Sequence, residues 1–110
     1  MLCPTDLTTP PEYAAVRHLL SAPSIVERTA PHIGEDDFDW FALHGEGVTM
    51  SGGERLLVQI AHELWQAEGA VGLREIARRL DRASFQRVVE ALAFARGELP
   101  FGSERLRAAA

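Results

Sequence analysis

Lysine and asparagine are absent from this chain of 110 residues, cysteine occurs once, and there is no long apolar run. Each gap excludes something. All eleven basic residues are arginine. The two missing types share A-rich codons, so the bias reads as genome composition and not as selection for arginine chemistry. The lone Cys3 cannot form an internal disulfide, which suits a reducing compartment, and its thiol is read as incidental and not catalytic. No stretch approaches the roughly 18 apolar residues a membrane helix needs. The opening Met1–Tyr13 segment has neither a basic residue nor an apolar core of signal-peptide length. A soluble, cytoplasmic protein is the expectation. Alternation of apolar and polar residues at period two is missing as well, so no strand is predicted.

What remains is ordinary globular material. Apolar residues make up 46% and charged residues 25%, which argues against overall disorder. A chain of this length folds as one domain and can bury about 65% of its unfolded surface without staples. The net charge of −5 is unevenly spread. Residues 1–54 carry nine acids against Arg17 and Arg28, a balance of −7; residues 55–110 carry seven acids against nine arginines, a balance of +2. An anionic partner would meet the second half.

Helical signals recur along the chain. Thr9-Pro10-Pro11-Glu12 has the form of a capping box with proline at the first helical position, followed by a stripe of Tyr13, Val16, Leu19 and Leu20. Pro23 and Pro31 bracket a short helix through Ile25 and Val26. Asp36 or Asp37 is placed to cap another over Phe38–His44, stopped by Gly45. Ser51 and Glu54 form a second capping box. Leu56, Leu57, Ile60, Ala61, Leu64 and Trp65 then mark the strongest amphipathic helix, closed by Gly69. A short helix through Leu73, Ile76, Ala77 and Leu80 follows the Ala70–Gly72 turn. Asp81 or Ser84 caps a last helix carrying Phe85, Val88, Val89, Leu92 and Ala93, which Gly97 ends. The predicted fold is all-α: a small single-domain helical bundle with a C-terminal helical hairpin. Residues 1–8 are read as a flexible N-terminus, 9–97 as the helical domain and 98–110 as a C-terminal tail.

Ser51-Gly52-Gly53-Glu54-Arg55 resembles the signature loop of ATP-binding cassette ATPases. The likeness covers five residues and assigns no family. Such ATPases also need a lysine at the terminal phosphates and an apolar strand ending in Asp-Glu. This chain has no lysine, and "VGLREIARRLD" stands where the strand would be. Burial of Leu56, Leu57, Ile60, Leu64 and Trp65 at about 2 kcal/mol each outweighs a serine cap of about 1 kcal/mol. The loop is therefore read as a helix start, with an anion- or nucleotide-binding fragment at Ser51–Glu54 as a distant alternative.

No catalytic or metal constellation emerges. His62-Glu63-Leu64-Trp65-Gln66 begins like the zinc-protease helix His-Glu-x-x-His, but Gln66 stands where the second ligand is required. His18, His32, His44 and His62 lie in different segments without ligand spacing. The cluster Glu35, Asp36, Asp37, Asp39 and Glu46 suits the positive end of a short helix better than acid–base work. No enzyme, metal or cofactor is expected.

Two segments suggest interactions. In "EDDFDWFALH", Phe38, Trp40, Phe41 and Leu43 spread around a helical wheel, so the element plugs the core or is covered by a partner. The plug is favoured. As a docking patch for another protein it would use Asp37, Phe38, Asp39, Trp40 and Phe41, with acids steering and aromatics anchoring. Phe94 joins this set because it lies about 180° from the predicted apolar stripe of the last helix; otherwise the tail Leu99-Pro100-Phe101 folds back over it. The second segment, "LREIARRL" and the helix after it, resembles a helix-turn-helix unit. That reading would place Arg82, Ser84, Gln86 and Arg87 at base edges and Arg74, Arg78 and Arg79 near phosphates. A plain helical hairpin with a solvated arginine face accounts for the same pattern and is preferred. The functional expectation is a small non-enzymatic regulator or adaptor that binds another protein or itself, with DNA binding as the alternative.

Overall fold

The computed structural model describes residues 10–67, 69 and 71–98. Helix α1, Pro11–Leu20, opens on two prolines whose fixed φ matches a first helical turn. Its cap position is Pro10, which offers no side-chain hydrogen bond, so the predicted Thr9 capping box does not start this helix; Thr9 itself lies outside the described residues. Tyr13, Ala14, Ala15, Val16, Leu19 and Leu20 are all buried. With apolar side chains on most of its circumference, α1 must be enclosed on several sides. It is enclosed by α4, Gly52–Gln66, and α6, Arg82–Ala95, its two main neighbours.

Between them, α2 (Val26–Thr29) and a 3-10 turn (Ala30–His32) lead into α3, Trp40–Gly47. Buried Thr29 ties this region to α1 by donating its hydroxyl to the Leu20 carbonyl at 2.5 Å. Arg28 does the same for α3. Its Nη2 donates to the Glu46 carbonyl at 2.7 Å and to the Thr49 hydroxyl, and its Nε meets the Glu46 carboxylate at 3.2 Å.

The start of α3 differs from the sequence expectation. Its cap is Asp39, which accepts from Ala42 N at 3.1 Å, and neither Asp36 nor Asp37 plays that part. The reason is Phe38. It pairs with Ile33 in an isolated antiparallel bridge, closed by Gly34 N donating to Asp37 O at 2.8 Å. A β-carbon at Gly34 would come within 3.0 Å of that Asp37 oxygen, which is why glycine stands there. Glu35 and Asp36 thus occupy an exposed turn and not a helix start.

Helix α4 follows the predicted pattern closely. Ser51 Oγ accepts from Glu54 N at 3.2 Å and Glu54 Oε1 accepts from Ser51 N at 3.1 Å, completing the capping box. Leu56, Leu57, Ile60 and Ala61 are buried. The helix closes at Ala67 in the left-handed region (φ 55°), and Gly69 (φ 74°) continues the turn, its amide held by Glu63 at 2.8 Å. The paired glycines have a packing role as well. A β-carbon on Gly53 would meet the Arg79 carbonyl at 3.3 Å, so the bare backbone lets the end of α5 (Leu73–Arg79) rest on the start of α4.

Helix α6 is capped by Asp81, whose Oδ1 accepts from Ser84 N at 2.7 Å, and ends before Gly97 (φ 82°). Of the predicted stripe, the inward face keeps Val88 as a fully buried residue and adds two others. Val88, Ala91 and Phe94 are buried against the bundle, while Phe85, Val89 and Leu92 are exposed at 45%, 37% and 49%. The sequence stripe ranked residues by size. The packing ranks them by fit: small Ala91 is fully buried on the side of α6 that lies against the bundle, where α1 is its main neighbour. Phe94 is therefore core, its ring edge-on to His18 at 5.1 Å; the reading that the tail folds over it falls on residues 99–110, which lie outside the described part. The chain is an all-α helical domain with no strand among the described residues. Its two C-terminal helices follow one another directly, α5 resting on α4 and α6 on α1.

Candidate functional site

Of the six residues first considered for partner binding, the fold withdraws three from the surface. Phe38 is buried at the centre of an aromatic cluster, stacked on Tyr13 at 5.1 Å and edge-on to Trp65 at 5.0 Å. Trp40 packs against Phe38 at 5.3 Å and is half-buried, and Phe94 is buried between α1 and α6. Phe38 and Trp40 form the plug that the sequence favoured. Asp37 and Asp39 are exposed but occupied locally, Asp37 accepting from Phe38 N at 2.8 Å and Asp39 capping α3. Phe41 alone projects, at 93% exposure. A two-turn helix cannot bury every side, and Phe41 lies on the side left over.

The arginine set divides similarly. Arg74, Arg78, Arg79, Arg82 and Gln86 are exposed, whereas Ser84 and Arg87 are half-buried. Arg87 Nη1 donates to the His18 carbonyl at 2.6 Å, closing the end of α1 onto α6, so it is committed to the fold. Beside it, His18 Nε2 lies 2.7 Å from Glu90 Oε1. Burial holds the His18 imidazole below its ordinary pKa and the Arg87 charge adds to this, while hydrogen bonding to Glu90 opposes it.

Removing Phe94 from the surface reveals what the sequence pattern concealed. At 100° per residue, Arg82, Phe85, Val89, Leu92 and Arg96 fall within an arc of about 80° on the outer side of α6. All five are exposed. They form a strip about 21 Å long at 1.5 Å per residue, whose apolar part from Phe85 to Leu92 covers about 10 Å between an arginine at each end. Arg96 meets Glu98 at 3.1 Å, but both side chains are mostly in water, where such a pair contributes little and exchanges readily. Val88, Ala91 and Phe94 form the inward stripe instead, with Ala95 partly buried beside them.

At the Ser51–Glu54 loop the Glu54 carboxylate accepts from the Ser51 amide, which puts a negative charge beside the helix start. Among the described residues no group of three or more His, Cys, Asp and Glu side chains is placed to hold a metal, and no helix is long and apolar enough to cross a membrane. The structure does bring two of the four histidines together. His44 on α3 and His62 on α4 approach to 2.8 Å between Nε2 and Nδ1. His62 also stacks on Trp40 at 4.4 Å and bonds Gln66 through Nε2 at 2.5 Å. No protein-family model, curated protein or solved structure matches this chain.

Proposed function

We propose that the protein is a small non-enzymatic regulator or adaptor, and that the outer strip of α6 is where it binds another protein. Three large apolar side chains in a row on a capped, firmly packed helix support this reading, because water-facing apolar residues at i, i+4 and i+7 form the seam of a helix-in-groove or helix-on-helix contact. The terminal arginines define the partner. It is an amphipathic helix of another protein, with carboxylates at both ends of its apolar seam. A second copy is a poor occupant. Antiparallel pairing centred on Val89 sets Phe85 over Leu92 and Arg82 over Arg96 of the copy, and parallel pairing sets each arginine over its twin. Like charges so placed oppose association.

A photo-crosslinking residue at Val89, with one at exposed Gln59 on α4 as control, tests this in cells producing the protein. The expected result is an adduct specific to position 89, mapping to an acidic amphipathic helix of another protein and lost when Leu92→Glu is added. Adducts only to the same protein, or none, would overturn it. The exposed arginines of α5 and the start of α6 support DNA binding as the second reading. Anisotropy with random duplex at low salt tests it, since affinity carried by arginine–phosphate contacts falls steeply with salt.

A further inference from the structure

We propose that His44 and His62 form a binding site for a divalent transition-metal ion of the Cu2+ or Ni2+ type, joining α3 to α4. This stands apart from the α6 strip and does not depend on it.

The case begins with the tautomers. Gln66 Oε1 can only accept, so the His62 Nε2 that meets it at 2.5 Å carries the proton. His62 Nδ1 then presents its lone pair, and His44 Nε2–H donates to it at 2.8 Å. In the helix that begins His-Glu-x-x, the side chain one turn on is not a second ligand. It orients the first, as outer-sphere acceptors do in metal sites. The second imidazole comes from the neighbouring helix.

The spacing suits an ion. Two nitrogens each about 2.0 Å from a metal and at right angles are about 2.8 Å apart, against about 3.3 Å at a tetrahedral angle. The ring centroids support the same geometry. For that right-angled chelate they lie about 4.5 Å apart, and for a straight N–H···N bond about 5.1 Å; here the separation is 4.8 Å. The imidazoles are thus already bent part of the way toward a common point. Square-planar or tetragonal ions with imidazole ligands, Cu2+ and Ni2+, fit such an angle.

The two imidazoles are held on neighbouring helices. His62 is sandwiched between Gln66 and the Trp40 ring, which lies 16° from parallel to it and is itself packed on buried Phe38. His44 is exposed on α3, so an ion reaches the pair from solvent. On binding, the proton on His44 Nε2 leaves to solvent and the ring takes one up at Nδ1, so both imidazoles bind neutral. Water completes the coordination.

The test is calorimetric titration of the untagged 110-residue chain with Ni2+, in a Cys3→Ser background that removes the thiol. One ion per chain is expected, with affinity lowered at least tenfold by His44→Gln and by His62→Gln, less by Gln66→Ala, and not at all by His32→Ala. Because Trp40 stacks on His62, tryptophan fluorescence should be quenched over the same Ni2+ range and lose that response in His62→Gln. Saturating Ni2+ should also raise the melting temperature of the parent and not of the two histidine variants, since an ion bound only by the folded chain stabilises it. Circular dichroism confirms that each variant is folded. Failure of the parent to bind Ni2+, or binding undiminished in either histidine variant, would overturn the proposal.

Discussion

Replacing Phe94 and Phe85 separately by alanine asks which side of α6 faces the bundle. Phe94 is 8% exposed and its ring meets His18 edge-on at 5.1 Å, so truncation removes most of a buried aromatic and leaves a void between α1 and α6. Such changes cost about 3–5 kcal/mol, and a position near the rim of the core belongs at the lower end, about 3 kcal/mol. Phe85, nearly half in water, should lose less than about 1 kcal/mol. For a domain of this size 3 kcal/mol is a large share of total stability and corresponds to a fall in Tm of roughly 12 °C or more. Urea unfolding followed by far-UV circular dichroism measures both, and unchanged m-values would confirm that the end states are comparable. Equal costs, or a larger cost for Phe85→Ala, would refute the inward placement of Phe94 and with it the outward strip. That same result would restore the stripe expected from residue size.

Ser51→Ala removes the acceptor for the Glu54 amide and should lower stability by about 1 kcal/mol, read from the urea midpoint. Gly45→Ala should stabilise by about 0.5–1 kcal/mol, because Gly45 lies within α3 and an added β-carbon meets nothing within 4 Å; a lowered Tm would count against this placement. Stability should fall as pH drops below about 6.5, because the unfolded chain takes up a proton on His18 that the folded chain resists. The loss continues down to the depressed folded pKa, and His18→Gln should flatten that part of the profile measured by urea unfolding at several pH values.

The helices were legible where local chemistry and burial agree. In α4 the serine, the glutamate three residues on and the regular apolar face all describe one object, and the structure reproduces it down to both capping hydrogen bonds. Asp81 likewise announces α6. Legibility failed where a distant partner decides. Nothing local to Phe38 says that Ile33 will hold it in a bridge, which moves the start of α3 to Asp39. Nothing local to α6 says that α1 will cover the side carrying Ala91 and Phe94 and leave Leu92 in water. The histidine pair was invisible for the same reason: His44 and His62 are 18 residues apart, and only the docking of α3 on α4 brings them within bonding range.

Helix α1 lies between two partners that both come later in the chain. His18 and Glu90, joined across the α1–α6 seam, are 72 residues apart. During synthesis α1 therefore leaves the ribosome with its oily surface unanswered, and nearly the whole polypeptide must follow before the last wall arrives. A nascent chain halted before α6 could pair α1 with α4 but would leave the other side of α1 open to water.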